Sequence, residues 1–201
     1  MTSLAPVTLT GSLVRLEPLL PEHEEGLAEA VRDGELWRLW YTNIPRPEDM
    51  GAEIERRLAL QKAGSMIPFA TRSLRDNKII GMTTYMNIDA SLPRLEIGST
   101  WNAASAHGSG TNADSKLLLL THAFESWGCP AVELRTSWMN TQSRAAIERL
   151  GAKLDGVLRQ SVRTRDGSLR DTCVYSIVAA EWPQVRSALR FRLGMDVLGT
   201  A

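Results

Sequence analysis

Hydrophobic residues recur along this chain at two different spacings, which divide the sequence into predicted strands and helices. Alternating apolar and polar residues, as in Leu13-Val14-Arg15-Leu16-Glu17, are typical of a half-buried strand, whereas apolar residues three or four positions apart are typical of a helix with one buried side. Strands are therefore expected at residues 13–17, 67–74, 78–88, 95–101, 132–137, 157–164 and 171–178. Helices are expected at residues 22–32, 47–64, 113–127 and 140–151, and a last helix begins at residue 181.

The order of these elements is β-α-α-β-β-β-α-β-α-β-β followed by a helix, with no internal repeat and no linker long enough to divide the chain. A single domain over residues 1–201 is expected, with its core at about residues 10–193. Gly81, inside the strand at 78–88, indicates a β-bulge.

The third predicted helix follows a loop of small residues and carries apolar residues along one side. These residues are Leu117, Leu120, Ala123, Phe124 and Trp127. We expect that side to face the sheet.

Composition narrows the class of protein without identifying it. Lys and Arg together number 23, as do Asp and Glu, and no dense basic cluster indicates a nucleic-acid partner. Cys129 and Cys173 and the three histidines lack metal-ligand spacing, so free thiols and no metal are expected. Without a signal-peptide pattern or an apolar run long enough to span a bilayer, a cytoplasmic protein that does not contact membranes is expected.

A glycine-containing loop lies between a strand and the third helix. Its residues are His107, Gly108, Ser109, Gly110, Thr111 and Asn112. The start of a helix offers unpaired N–H donors and a partial positive charge, so a diphosphate can bind there, and glycine permits the close approach. A solvent-exposed turn before a helix is the alternative interpretation of the same residues.

Three local motifs give the chain a resemblance to a known family. They are Leu95-Glu96-Ile97-Gly98 with Trp101, the run from Asn140 to Ala152, and the late hairpin from Gly156 to Asp171. On these residues the chain resembles the GNAT superfamily of acetyl-CoA-dependent N-acetyltransferases, and within it the branch of ribosomal-protein alanine N-acetyltransferases. The resemblance spans about residues 10–193.

This resemblance implies an α+β fold in which helices flank a mixed, strongly curved central sheet of about seven strands, and it implies acetyl-CoA as cosubstrate. The family usually opens the diphosphate loop with Gln or Arg, followed after two residues by Gly and, two positions later, by Gly or Ala. Here those positions are His107, Gly110 and Asn112, so the spacing is kept while two residue types depart. The backbone donors of the loop do not depend on side-chain identity.

Two positions on the strand at 95–101 correspond to catalytic features of the family. Glu96 matches its general base, and burial would raise the pKa of this carboxyl towards a useful value. A carboxylate paired with Arg94 or left in solvent is the alternative. Thr100 and Trp101 match the point where the family separates two strands, leaving a backbone N–H free to donate to the thioester carbonyl.

The start of the fourth helix matches another part of the family's cofactor site. The resemblance implies that the Asn140 side chain bonds the pantetheine arm and that the Ser143 hydroxyl serves the departing sulfur as general acid or by orienting it. Asn followed three residues later by Ser is also good helix capping by itself, and both interpretations stay open.

The residues that would bind the amine acceptor are less defined. Trp37, Trp40 and Tyr41 resemble the family's variable acceptor wall. The residues that could border the same groove are Tyr85, Met86, Arg159, Arg163 and Arg165. Aromatic residues that fill the core between helix and sheet are the alternative.

The leading acceptor is a protein N-terminal α-amine, attacked directly in a ternary complex. A small-molecule amine and a non-catalytic acyl-CoA-binding protein stay open, and a homodimer is a further possibility.

Overall fold

Eight strands and five helices form the part of the chain that this computed structural model describes, residues 5–89 and 91–197. The strands are β1 (Leu9–Thr10), β2 (Val14–Pro18), β3 (Met66–Ser73), β4 (Ile79–Asp89), β5 (Arg94–Asn102), β6 (Ala131–Ser137), β7 (Lys153–Arg163) and β8 (Leu169–Val178). The helices are α1 (Glu24–Arg32), α2 (Met50–Lys62), α3 (Thr111–Thr121), α4 (Thr141–Glu148) and α5 (Trp182–Arg192). Every strand and helix expected from the sequence is present.

All eight strands belong to one mixed sheet in the order β1-β2-β3-β4-β5-β6-β8-β7. Neighbouring strands are antiparallel except β5 and β6, which are parallel. The expectation of a mixed sheet flanked by helices is confirmed, with eight strands where about seven were expected. The additional strand, β1, has two residues paired with β2 and is too short for an alternating pattern to reveal.

The sheet opens between β5 and β6. These strands pair only from Arg94–Ala131 to Glu96–Glu133. Next to this opening β5 carries a bulge, because Gly98 pairs with Thr84 and Trp101 with Met82, which leaves two residues of β5 opposite Thr83. A bulge bends its strand and increases the local twist, so the rest of β5 turns away from β6.

Helices cover both faces of the sheet and enclose two apolar clusters. The cluster beneath α1 and α2 includes Leu27, Val31, Met50, Ile54, Met82 and Trp101. The cluster beneath α3 and α5 includes Val14, Phe69, Leu119, Leu120, Trp182 and Leu189. No helix in the described ranges is long and apolar enough to cross a bilayer.

The predicted inward side of α3 was partly wrong. Three of the residues expected to face the sheet are only half-buried: Leu117 on α3, and Phe124 and Trp127 in the segment after it. The turns nearest the sheet instead bury Asp114, Ser115, Lys116 and Leu119. Polar partners on the sheet account for this rotation, and a five-residue π-helical turn, His122–Ser126, then changes the helical period.

Asp114 fixes the start of α3 to the first strands. Its carboxylate accepts hydrogen bonds from the N–H groups of Leu13 (2.7 Å) and Val14 (3.0 Å) and from the Ser12 hydroxyl (3.4 Å). A Cβ at Gly11 would lie 2.4 Å from the carboxylate, so only glycine fits there. The loop before α3 is therefore held at a fixed height above the sheet.

We predict that Gly81→Ala destabilises the fold by about 3 kcal/mol, the upper part of the range for overpacking. A Cβ at this position would lie 2.1 Å from the Trp101 carbonyl oxygen and 2.8 Å from the Asn102 Cα, and backbone atoms cannot move aside as a side chain can. Chemical denaturation would measure the loss. Gly156→Ala is the matched control, since a Cβ there meets no atom within 4 Å. Equal stability of the two variants would contradict the predicted clash.

Candidate active site

The conformation of the loop before α3 leaves its backbone N–H groups accessible to a ligand. After β5, a short 3-10 turn (Ala104–Ala106) leads to Gly108 (φ 75°) and Gly110 (φ 88°), and Gly110 is the N-cap residue of α3. The hydroxyls of Ser109 and Thr111 both donate to the Ala106 carbonyl, at 2.6 and 3.2 Å. These bonds fold the loop on itself without using its N–H groups.

Six consecutive backbone N–H groups, those of residues 108–113, have no acceptor among the residues that the structure describes. The first amide of this helix to be paired is that of Asp114, which donates to the Gly110 carbonyl at 3.0 Å. We call these six groups the loop donors. Unpaired amides at a helix start, with the helix dipole behind them, suit a diphosphate.

His107 lies at the N-terminal end of the loop and bonds it to the end of β5. The side chain is exposed, and its Nε2–H donates to the Asn102 carbonyl at 3.0 Å. The first of the two residues that depart from the family pattern thus bonds the protein backbone and leaves the loop donors unobstructed.

Glu96 is the last residue of β5 that pairs with β6. Its side chain points to the face covered by α1 and α2, since its neighbours Leu95 and Ile97 pack in the cluster on the opposite face and side chains alternate along a strand. Its side chain is buried, with 7% exposed. The Asn87 amide donates to Oε2 at 2.8 Å, and Arg135 Nε lies 3.6 Å from the same oxygen. Oε1 accepts no hydrogen bond in the described part of the chain.

Burial raises the pKa of the Glu96 carboxyl, and the charge of Arg135 and the Asn87 hydrogen bond oppose that rise. The neighbouring Glu133 adds to it. The alternative pairing of Glu96 with Arg94 was wrong, since Arg94 Nη2 contacts Glu133 Oε1 at 2.5 Å. The negative charge of Glu96 is therefore less fully balanced by arginine than that of its neighbour Glu133.

The start of α4 forms the other side of the opening, since α4 follows β6. Asn140 is its N-cap, and Oδ1 accepts the N–H of Ser143 at 3.0 Å. The capping interpretation is confirmed. The Ser143 hydroxyl makes no hydrogen bond within the described residues, so it is available to a ligand.

Residues 14–153 match the family model described as "Acetyltransferase (GNAT) domain". The chain belongs to this family. Members of the GNAT family are acetyl-CoA-dependent acetyltransferases, and the loop donors are suited to the diphosphate of that cosubstrate.

Several known proteins are similar to this GNAT chain. The Bacillus subtilis (strain 168) protein YdaF, named as a candidate ribosomal N-acetyltransferase, is 31% identical over 109 residues, which are 54% of this chain and 58% of YdaF. The chain thus aligns with little more than half of that relative. A candidate acetyltransferase from T. thermophilus is 32% identical with a TM-score of 0.82, covering 94% of this chain and 98% of that one.

Mycobacterium smegmatis RimJ, solved in complex with CoA-disulfide, shares the fold at 22% identity. Its TM-score is 0.80, with 94% of this chain and 95% of RimJ covered.

The loop between α1 and α2 lies against the β7–β8 hairpin on the side of this GNAT fold that Glu96 faces. Arg170 donates to the Tyr41 carbonyl (2.9 Å) and Arg165 to the Ile44 carbonyl (2.7 Å). Trp40 is 64% exposed and meets Tyr41 edge to face, with ring centroids 5.6 Å apart.

Other predicted acceptor residues lie elsewhere. Tyr85 is fully buried beneath α3, on the face opposite to the one that Glu96 faces, and its hydroxyl donates to the Leu119 carbonyl at 2.6 Å. The expectation that it borders the acceptor groove was therefore wrong. Trp37 is half-buried against the cluster under α1 and α2. Arg159 pairs with Asp171 and Arg163 with the Gly167 carbonyl, so neither reaches the loop.

Lys116 is a residue of the site region that sequence reasoning missed. Its ammonium lies beneath α3, 2.7 Å from Thr100 Oγ1 at the β5 bulge and 3.3 Å from Thr83 Oγ1. The available signal was its spacing from Ala113 and Leu120, which places a lysine within an apolar stripe.

Two surface cavities lie away from this site. One, of about 320 Å³, lies between α1 and the β3–β4 hairpin, and the other, of about 550 Å³, lies between α3, α5 and the β1–β2 turn. Neither is lined by Glu96 or by the loop, so the opening between β5 and β6 remains the candidate active site.

We predict that Gly108→Val weakens acetyl-CoA binding at least tenfold, because a branched side chain stands among the loop donors and keeps the diphosphate away. Isothermal titration calorimetry would measure Kd. Gly167→Val is the matched control, since both glycines have positive φ (75° and 86°) and neither has an atom within 4 Å of a built Cβ. Equal affinities in the two variants would place the diphosphate elsewhere.

Proposed function

We propose that this enzyme transfers acetyl from acetyl-CoA to the N-terminal α-amine of a protein or peptide, by direct attack in a ternary complex. The observation that supports this most is the position of Glu96 at the edge of the β5–β6 opening, with the loop donors and α4 beyond it. One substrate would enter from the α3 face and the other from the face of α1 and α2.

The loop donors would hold the diphosphate, and the Asn140 amide would meet the pantetheine arm. The thioester would then lie in the opening, where a backbone N–H of the bulged segment at Ser99–Trp101 is proposed to donate to its carbonyl oxygen. Such a donor is fixed before reaction, so it stabilises developing negative charge without reorganisation.

Glu96 would act as general base through Oε1, the oxygen that has no donor in the described residues. The amine nitrogen attacks the carbonyl carbon, its proton passes to Glu96 directly or through water, and the carbon–sulfur bond breaks. Ser143 would orient or solvate the departing thiolate, since an unperturbed serine hydroxyl is a weak acid. The raised pKa of Glu96 suits this role.

An open acceptor surface favours a peptide. Trp40 and Tyr41 lie on a loop held by two arginines. The exposed Trp40 ring, edge to face with the half-buried Tyr41, can contact an extended peptide. An α-amine also has a pKa of about 8, against about 10.4 for lysine, so more of it is neutral at physiological pH. The name of YdaF, a candidate ribosomal N-acetyltransferase, agrees with a protein as the acceptor.

We expect the highest kcat/KM for a peptide with a free N-terminal alanine. The same peptide with a blocked N-terminus and one lysine should have a kcat/KM at least tenfold lower, and so should a polyamine. Release of free thiol from acetyl-CoA would measure the rates. A preference for the polyamine would instead establish the small-amine alternative.

The same assay tests the aromatic surface. Trp40→Ala should raise the KM for the peptide without changing that for acetyl-CoA. Phe191→Ala removes a similarly exposed aromatic (79%) on α5 and should change neither.

We expect Glu96→Gln to lower kcat by about 100-fold or more while acetyl-CoA affinity is retained, because an amide cannot accept the amine proton. In the wild-type enzyme kcat/KM should fall as pH drops through the raised pKa of Glu96, since only the carboxylate is a base. That acid limb should be absent from the variant.

Glu133→Gln is the comparison for Glu96→Gln. It removes a like charge and frees Arg135, and both changes lower the pKa of Glu96. The acid limb should therefore move to lower pH while turnover persists. Wild-type rates in Glu96→Gln would exclude Glu96 as the base.

A further inference from the structure

Lys116 is a buried lysine of α3, with 5% of the residue exposed. Among the described residues its ammonium hydrogen-bonds only to the hydroxyls of Thr100 and Thr83, which are 2.8 Å from each other. No carboxylate of the described residues forms an ion pair with it. An unpaired buried charge is costly, so a lysine here needs an explanation that packing does not supply.

The titratable groups around Lys116 are engaged elsewhere. Asp114, two residues earlier, is bound by β2; Tyr85 on β4 donates to the Leu119 carbonyl; His122, after α3, stacks on Tyr85. His107, in the loop, bonds the Asn102 carbonyl. Burial alone lowers the pKa of Lys116, to about 7, so its protonation changes near neutral pH.

The two threonine hydroxyls suit both protonation states. A hydroxyl accepts a hydrogen bond from an ammonium and, after rotation, donates one to the lone pair of a neutral amine. The Lys116–Thr100–Thr83 group can therefore gain or lose a proton without a change in packing.

Lys116 lies directly behind the loop donors. It is five residues beyond Thr111, the first residue of α3, which is about 7.5 Å along the helix axis at 1.5 Å per residue. Its partner Thr100 belongs to the bulge at the opening. An anion on the loop donors would thus lie near an ammonium with little water between them, where charges interact strongly.

We propose that Lys116 is a buried cationic part of the acetyl-CoA site, which takes up a proton from solvent when the diphosphate binds to the loop donors. This inference rests on the proposed placement of acetyl-CoA. Since the anion favours the ammonium form, binding raises the pKa of Lys116, and affinity falls as pH rises from the free towards the bound value.

Calorimetry with acetyl-dephospho-CoA tests the inference, because this ligand lacks the 3′-phosphate, whose own pKa is about 6. Binding enthalpies measured at pH 7.5 in buffers of different ionisation enthalpy give the number of protons taken up. For a rise of one pKa unit we expect uptake of about half a proton, and a Kd that increases about sixfold between pH 6.5 and 8.5.

Lys116→Met should abolish both the proton uptake and the pH dependence, and it should weaken binding at pH 6.5. Lys78→Met, which replaces an exposed lysine of the β3–β4 hairpin, should behave as wild type. His107→Gln measures any contribution from the histidine side chain of the loop before α3. The Lys116→Met apoprotein should melt no lower than wild type, because the variant removes an unpaired buried charge.

The outcomes separate the two proposals. No binding by the wild-type protein would overturn the acetyl-CoA site itself. Binding without proton uptake, or uptake that persists in Lys116→Met, would overturn only the role of Lys116. If that variant does not fold, the wild-type protein with isotope-labelled lysine gives the answer by NMR: one lysine should titrate near pH 7 and move upwards with ligand, and the absence of such a shift would overturn the inference.

Discussion

The candidate site depends on the point at which two parallel strands stop pairing. β5 and β6 are partners from Arg94 to Glu96 only, and the bulge that follows turns β5 away. If pairing continued, β6 would cover the edge of β5, and the starts of α3 and α4 would not face a common space. The opening therefore arises from one additional residue in β5, and the rest of the sheet provides the rigidity that keeps the two strands apart.

This opening also separates opposite electrostatic environments. On the α3 side, the loop donors and the buried Lys116 present positive charge, and the one acidic residue of the first turn, Asp114, is engaged by the first strands. On the side of α1 and α2, Glu96 and Glu133 alternate with Arg94 and Arg135. Glu96 is the carboxylate with an oxygen, Oε1, that accepts no hydrogen bond from the described residues. An anion and an ammonium approaching from the two faces would each meet complementary charge, and the backbone of β5 lies between them.

Local patterns predicted much of this architecture. The order of elements and the Asn140 cap follow from neighbouring residues, and the loop of small residues indicated the helix start that carries the donors. Features that depend on partners distant in the sequence were missed: Lys116 is buried because it meets Thr83 and Thr100 on two strands, and Arg135, on β6, replaces Arg94 as the partner of Glu96. Tyr85 was misplaced for a related reason, since an aromatic residue in a strand gives no indication of which face will be covered.

The loop between α1 and α2, which carries the proposed acceptor surface, was the hardest part of the site to predict from the sequence. Arg165 and Arg170 bind carbonyl groups of Ile44 and Tyr41 across more than a hundred residues of sequence. Because these bonds use the backbone of the loop, the loop's side chains are under no constraint from them and can change without releasing it from the hairpin. The position of the proposed acceptor surface is thus set by the two arginines, while its chemistry would be set by residues such as Trp40 that the fold leaves exposed. Specificity can change on this surface without disturbing Glu96 or the loop donors, since those groups are held by other strands and by the start of α3.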